Sequence, residues 1–141
     1  MYRILVVSLS LFWMSAASVH AAGLPYGEIG DAAKKYLAAN VSAREISKIK
    51  KSLFDSVETK MQDGGLTENE ALSQIMLDWA FDNQSKIQKK EKAAVARASY
   101  YFSVFVDRHI PFPGVIEERL SQEDAHKIID YLNQEAGSAK K

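Results

Sequence analysis

The chain has 141 residues, of which 18 are basic and 18 acidic, and it contains no cysteine. Balanced charge argues against a general nucleic-acid binder, and the lack of cysteine excludes disulfides and covalently attached haem. A chain of this length is expected to form one domain.

The N-terminal segment has the three parts of a cleavable signal peptide. Arg3 supplies a basic start, residues 4–14 form an uncharged apolar run, and small residues follow over 15–22. We expect cleavage after residues 1–21, which makes Ala22 the new N-terminus. The alternative is an uncleaved anchor, because an apolar stretch of this length is just able to span a bilayer. Cleavage predicts an exported protein, either periplasmic or secreted.

Residues 22–141 are predicted to form a single all-α domain, a small antiparallel bundle of four main helices plus a short N-terminal helix. The three prolines and most glycines lie between the periodic apolar segments, which leaves those segments free to form helices. Capping-box patterns at Ser42, Thr67 and Ser121 each mark a helix start. The tail from Gly137 is expected to fray. The predicted helices cover about 28–39, 43–62, 67 onward, 84–109 and 122–136.

The segment 43–65 predicts an amphipathic helix followed by a turn. Apolar residues recur along one stripe of the helix at helical spacing, opposite a charged face. Asp63-Gly64-Gly65 then ends the helix, and the next helix begins at Thr67. The two helices are therefore expected to form a helical hairpin. The stripe consists of Ile46, Ile49, Leu53, Phe54, Val57 and Met61.

The helix that begins at Thr67 carries two apolar stripes. Leu77 and Phe81 lie one turn apart, nearly opposite the main stripe, and Asp78 and Asp82 border them. Apolar anchors within a charged rim are typical of interfaces, so these four residues are a candidate surface for a protein partner or a second copy of the chain. The alternative is that a neighbouring helix of the same chain covers the second stripe. The main stripe consists of Leu72, Ile75, Met76 and Trp79.

The predicted helix over 84–109 begins with a basic stripe. The stripe is a candidate anion-binding surface, suited to phosphates or anionic lipid heads. One alternative is an ordinary solvated helix face. Another is ion pairing with the preceding helix, because residues 63–82 contain five acidic residues and no basic one. The stripe consists of Lys86, Lys89, Lys90 and Arg97.

The second half of the same helix is apolar on nearly all sides. Burial of residues 100–106 would make it the central helix of the bundle. A pocket beneath the aromatic run from Tyr100 to Phe105 would suit a carrier of a small apolar ligand. His109, at the helix end, is expected to stabilise the helix C-terminus. An alternative is a small exported enzyme that uses His109 together with carboxylates.

No catalytic, cofactor-binding or metal-binding motif is complete. Residues 63–70 resemble the end of an EF-hand loop, but Met61 occupies an early ligand position that requires oxygen. A single Glu123-x-x-His126 pair falls short of a di-iron site, which needs two such pairs. No Gly-x-Ser-x-Gly elbow or phosphate-binding loop is present.

The sequence therefore predicts a non-enzymatic, exported helical binding protein of a bacterial cell envelope. It would act by protein–protein interaction, as an adaptor, inhibitor or immunity-type partner, because the chain presents helix surfaces and no convergent polar groups. We expect a protein partner, with a homodimer as a further option. We expect no cofactor, no nucleic acid and no transmembrane segment after signal cleavage.

Overall fold

The computed structural model describes residues 24–139, which form seven helices and no strand. The predicted all-α class is confirmed. The predicted signal peptide and the last two residues of the tail lie outside the described part. Within that part, no helix is both long and apolar enough to cross a bilayer. The helices are α1 Tyr26–Asn40, α2 Ala43–Gly64, α3 Glu68–Asp82, α4 Gln84–Gln88, α5 Lys92–Asp107, α6 Gly114–Arg119 and α7 Gln122–Ala139.

Helix α1 is longer than the sequence predicts and packs extensively against both α5 and α7. Its inner face combines small residues with Ile29 and Tyr36, both buried. The Asn40 side-chain amide at its end donates to the carbonyl oxygens of Tyr36, at 3.2 Å, and of Glu135 in α7, at 3.3 Å. The N-terminal helix is therefore a principal element of the core.

Helices α2 and α3 form the predicted hairpin. Helix α2 ends at Gly64, and Gly65 adopts the left-handed conformation with φ 65°, from which its N–H donates to the Met61 carbonyl at 3.1 Å. Glycine reaches this conformation without a steric penalty from a Cβ atom. Thr67 and Glu70 then form a complete capping box at the start of α3. Met61, predicted to face the core, is instead 39% exposed, because it lies in the last turn of α2.

The prediction of one continuous helix over 84–109 is wrong. The chain forms α4 and α5, separated by Lys90 in the left-handed conformation with φ 56°. The Lys90 N–H donates to the Ile87 carbonyl and the Glu91 N–H to the Lys86 carbonyl, at 3.0 and 3.1 Å. These two bonds define a Schellman cap, which normally uses glycine. Because this position is a lysine, the sequence contains no signal that a helix ends here.

Replacing Lys90 by glycine is expected to raise the free energy of unfolding by up to about 1 kcal/mol, because relief of the Cβ clash of the left-handed conformation outweighs the loss of the exposed contact between Lys90 and the Tyr131 ring. The neighbouring Lys89 has right-handed helical angles, with φ −79° and ψ −2°. Lys89→Gly is the matched control, and it should leave stability unchanged or lower it. Urea denaturation of both variants measures the difference. Equal effects of the two substitutions would contradict a strained backbone at Lys90.

The aromatic run of α5 is largely buried, as predicted. Phe105 is 1% exposed, and its ring lies 6.1 Å from Phe112, a residue of the segment that follows the helix. Phe112 also contacts Phe102, at 5.2 Å, and Tyr26 of α1, at 4.8 Å. This aromatic cluster holds the 110–113 segment against the core. It thereby positions α6, a short helix that the sequence did not predict.

Helix α7 begins as predicted and extends further. The Asp124 N–H donates to the Ser121 hydroxyl at 3.0 Å, which confirms the predicted N-cap. Ala125, Ile129 and Leu132 are buried. The helix continues to Ala139, beyond the point at which fraying was expected.

Candidate protein-binding groove

An apolar groove lies between α3, α4 and α6. It forms an open cavity of about 380 Å³. Its walls are mainly hydrophobic, with two glutamines from α4 as the polar members. We call it the α3 groove. It is lined by Leu77, Ala80, Phe81, Gln84, Ile87, Gln88, Val115, Ile116 and Leu120.

The groove follows the second apolar stripe of α3 because the helical path continues past the end of that helix. The Asn83 N–H donates to the Trp79 carbonyl, and the Ile87 N–H donates to the Asn83 carbonyl, both at 3.0 Å. These are the i to i−4 bonds of an α-helix. The glutamines of α4 therefore extend the line of Leu77 and Phe81, and α6 forms the opposite wall.

The two residues of the second stripe differ in their exposure to solvent. Leu77 is half-buried beside α6, whereas Phe81 is 43% exposed. Val115, on the opposite wall, is 39% exposed. Among residues 24–139, only Met61 joins these two as an exposed large hydrophobic residue. Two of the three thus border a single groove.

A second cavity, of about 410 Å³, continues the groove toward the start of α3. It shares Leu77 with the first cavity and reaches Glu70 and Pro113. The Glu70 carboxylate accepts the Thr67 backbone N–H at 2.9 Å, and this bond, followed by the Thr67 hydroxyl, holds the pKa of Glu70 below its usual value. That carboxylate is therefore engaged in the helix cap. The other members are Asn69, Ser73 and Gln74, all uncharged.

The predicted rim residues Asp78 and Asp82 are exposed beside the groove and do not line it. Neither forms an ion pair with another residue of the described chain. The apolar pattern of the sequence thus predicts the α3 side of the groove but not the α6 side. Val115, Ile116 and Leu120 belong to or follow a helix of six residues, which is too short to show a clear helical period, so only their apolar character could have identified them.

The predicted basic stripe does not form one surface. Lys86, Lys89 and Lys90 are exposed at α4, but Arg97 lies half-buried on α5, beyond the break at Lys90. Lys90 lies over the Tyr131 ring, 4.8 Å from its centroid.

The alternative of ion pairing between this stripe and α3 is wrong for the described residues. Among the described residues, no acidic group lies within 4.0 Å of the four basic side chains of the stripe, Lys86, Lys89, Lys90 and Arg97. Instead, Glu68 of α3 pairs with Arg108, which lies past the end of α5 and stacks over the Phe54 ring at 5.1 Å. The acidic start of α3 therefore meets the carboxyl end of α5, a contact that the sequence did not predict.

His109 lies past the end of α5, beside a third cavity of about 390 Å³ that Tyr26, Phe105 and Val106 also line. His109 has φ 56°, and its N–H donates to the Val106 carbonyl at 3.1 Å, so it caps the helix through its backbone. No carboxylate belongs to the described lining of this cavity. Of the aromatic run, only Phe105 reaches it.

Residues 24–139 contain no group of three His, Asp or Glu side chains placed to hold a metal ion.

No protein-family model, curated protein or solved structure matches this chain. The α3 groove is therefore the feature from which its function is inferred.

Proposed function

We propose that this chain is an exported helical binding protein that acts by protein–protein interaction through the α3 groove, as an adaptor, inhibitor or immunity-type partner. The observation that carries the proposal is the apolar cavity of about 380 Å³ with Phe81 exposed at its edge. An exposed aromatic side chain that borders an apolar cavity is a typical anchor for a partner. Contiguous exposed apolar surface on a small domain is also characteristic of interaction sites.

The chemistry of the groove supports a protein partner over a charged ligand. Its floor is aliphatic and aromatic, and Gln84 and Gln88 offer amide groups that both donate and accept hydrogen bonds. No lining residue of the 380 Å³ cavity is ionisable. Such a surface suits the apolar side chains and the backbone of a peptide or helix.

Export is the second part of the proposal and is supported by the N-terminal pattern of Arg3, the apolar run over 4–14 and the small residues before Ala22. The partner would then lie outside the cytoplasm. An exported protein that begins at Ala22 is the expected form, and a full-length chain retained in the membrane would contradict export.

A photo-crosslinking amino acid at Gln84, in protein exported by its own signal sequence, tests the groove. We expect an adduct with another protein, and we expect Leu77→Ser with Phe81→Ser to abolish it. A crosslinker at Ser52, exposed on α2, should give no such adduct. Met61→Ser, which removes an exposed hydrophobic residue outside the groove, is the matched control and should preserve the Gln84 adduct.

Melting curves of the double serine variant distinguish a surface from a core role. Because Phe81 is exposed and Leu77 only half-buried, their replacement should cost less than about 2 kcal/mol. Collapse of the fold would show that the two side chains are core residues. An intact fold with an unchanged Gln84 adduct would refute the groove as the binding site.

A second candidate function is the carriage of a small apolar ligand. The cavity of about 390 Å³ beside Tyr26 and Phe105 is the observation that favours it. This cavity and the α3 groove are lined by different residues. Binding of an apolar dye that the double serine variant leaves unchanged would therefore support the carrier function.

A further inference from the structure

We propose that the α3 groove takes a second copy of this chain, docked antiparallel about a two-fold axis near Gln84. The inference rests on the proposed role of the groove in protein binding and names its partner. Its basis is the order of charges along one side of the groove, which is complementary to itself.

The helical path beside the groove runs from Glu68 to Lys89. Backbone hydrogen bonds with i to i−4 spacing join Asn83 to Trp79 and Ile87 to Asn83. The Lys89 N–H also donates to the Ser85 carbonyl, at 3.0 Å and with the same spacing. Asn83 itself departs from helical angles, with φ −117° and ψ 18°, but Phe81, Gln84 and Gln88 line one groove, so helical periodicity holds approximately across α3 and α4. At about 100° per residue, positions spaced by three or four residues share one side.

Asp78, Asp82, Ser85 and Lys89 have this spacing and lie on the flank next to Phe81. All four are exposed. The flank is thus acidic at one end, neutral in the middle and basic at the other. Within residues 24–139, no ion pair involves Asp78, Asp82 or Lys89. These charges remain available to a partner.

Antiparallel packing of two identical helices brings the same flank of each face to face. Lys89 of one copy then lies opposite Asp78 of the other, and Ser85 lies opposite Asp82. Parallel packing would instead bring this flank against the opposite flank of the partner helix, so Lys89 and Asp78 would not meet and their attraction would be lost. The charge order therefore selects the antiparallel arrangement.

The same axis brings the exposed aromatic ring to the centre of the contact. Phe81 is less than one helical turn from the axis, so it lies within about 5 Å of it along the helix. Each copy directs Phe81 toward the groove of the other, where Ile87 and Ile116 form apolar walls. A central aromatic residue with charges at the rim is the arrangement expected of a self-complementary two-fold interface.

Sedimentation equilibrium of the purified chain, at low ionic strength and over a range of concentrations, tests this. We expect a monomer–dimer equilibrium. Lys89→Glu should weaken the dimer at least about tenfold in Kd, because it places acids opposite acids. Asp78→Lys with Asp82→Lys should weaken it similarly. The triple variant that combines all three changes should recover most of the lost affinity.

Lys48→Glu, an exposed charge reversal on α2, is the control and should leave the Kd unchanged. Because every altered side chain is exposed, helical circular dichroism should be the same for all variants. A strictly monomeric wild-type chain would overturn the proposal, and so would a triple variant that is weaker than either parent.

The test separates this inference from the proposed function. A monomeric chain that still gives the groove-dependent adduct from Gln84 would refute the dimer and leave the binding function standing. A dimer rescued by charge exchange, with Gln84 adducts only to a second copy of the chain, would support the dimer and refute the adaptor, inhibitor or immunity-type role.

Discussion

Replacing Gly30 by alanine is expected to destabilise the protein by about 1–3 kcal/mol, although alanine is the better helix former. A Cβ atom at this position would lie 2.7 Å from Val106 Cγ1 and 3.0 Å from Val106 Cβ. Valine is branched at Cβ, so rotation of its side chain cannot open this space. Helices α1 and α5 would have to move apart, and the core contacts between them would be lost.

Gly27, in the same helix, provides the matched control. A Cβ atom there would meet nothing within 4 Å, so Gly27→Ala should leave stability unchanged or raise it by up to about 1 kcal/mol. Urea denaturation of both variants measures the difference. Equal stability of the Gly30→Ala variant and the wild type would show that α1 and α5 have room to adjust. Val106→Ala combined with Gly30→Ala should recover part of the loss, because it removes the closest carbon.

Phe112→Ala is expected to cost about 3–5 kcal/mol, a large share of the stability of a small domain. Phe112 is 2% exposed and contacts the rings of Tyr26, Phe102 and Phe105. Its removal leaves a cavity among three aromatic side chains that belong to two helices. It also releases the segment that positions α6, so the wall of the α3 groove should become mobile.

Val115→Ala, three residues further along, is the control for this prediction. Val115 is 39% exposed, so its truncation should cost less than about 1 kcal/mol while it removes part of the groove wall. Thermal melts give the stability of each variant, and limited proteolysis reports the release of residues 114–120. A loss below about 1 kcal/mol for Phe112→Ala would mean that the aromatic cluster does not anchor the segment.

Sequence periodicity and cap chemistry predicted much of the fold, because both act within one or two helical turns. The N-caps at Ser42, Thr67 and Ser121 are present, and α2 ends at Gly64 as predicted, with Gly65 in the left-handed conformation. The second stripe of α3 was also visible, since Leu77 and Phe81 are separated by one turn. The sequence could not tell which part of the stripe the chain itself would cover.

Three features depended on contacts between residues distant in the chain. The helix break at Lys90 has no glycine or proline to signal it, and the Lys90 side chain lies over Tyr131 of α7. Helix α6 is positioned by Phe112, whose partners come from α1 and α5. The pairing of Arg108 with Glu68 spans 40 residues and replaced the predicted pairing with the basic stripe.

The sequence by itself determined the helical class, most helix starts and the two-sided character of α3, since these follow from local hydrogen bonding and the spacing of apolar residues. Only the tertiary structure decided that Leu77 and Phe81 form one wall of a groove. The other wall is brought there by the burial of Phe112 between helices that lie far apart in the chain. Packing of that kind depends on the complementarity of distant surfaces, which periodicity along one segment does not encode.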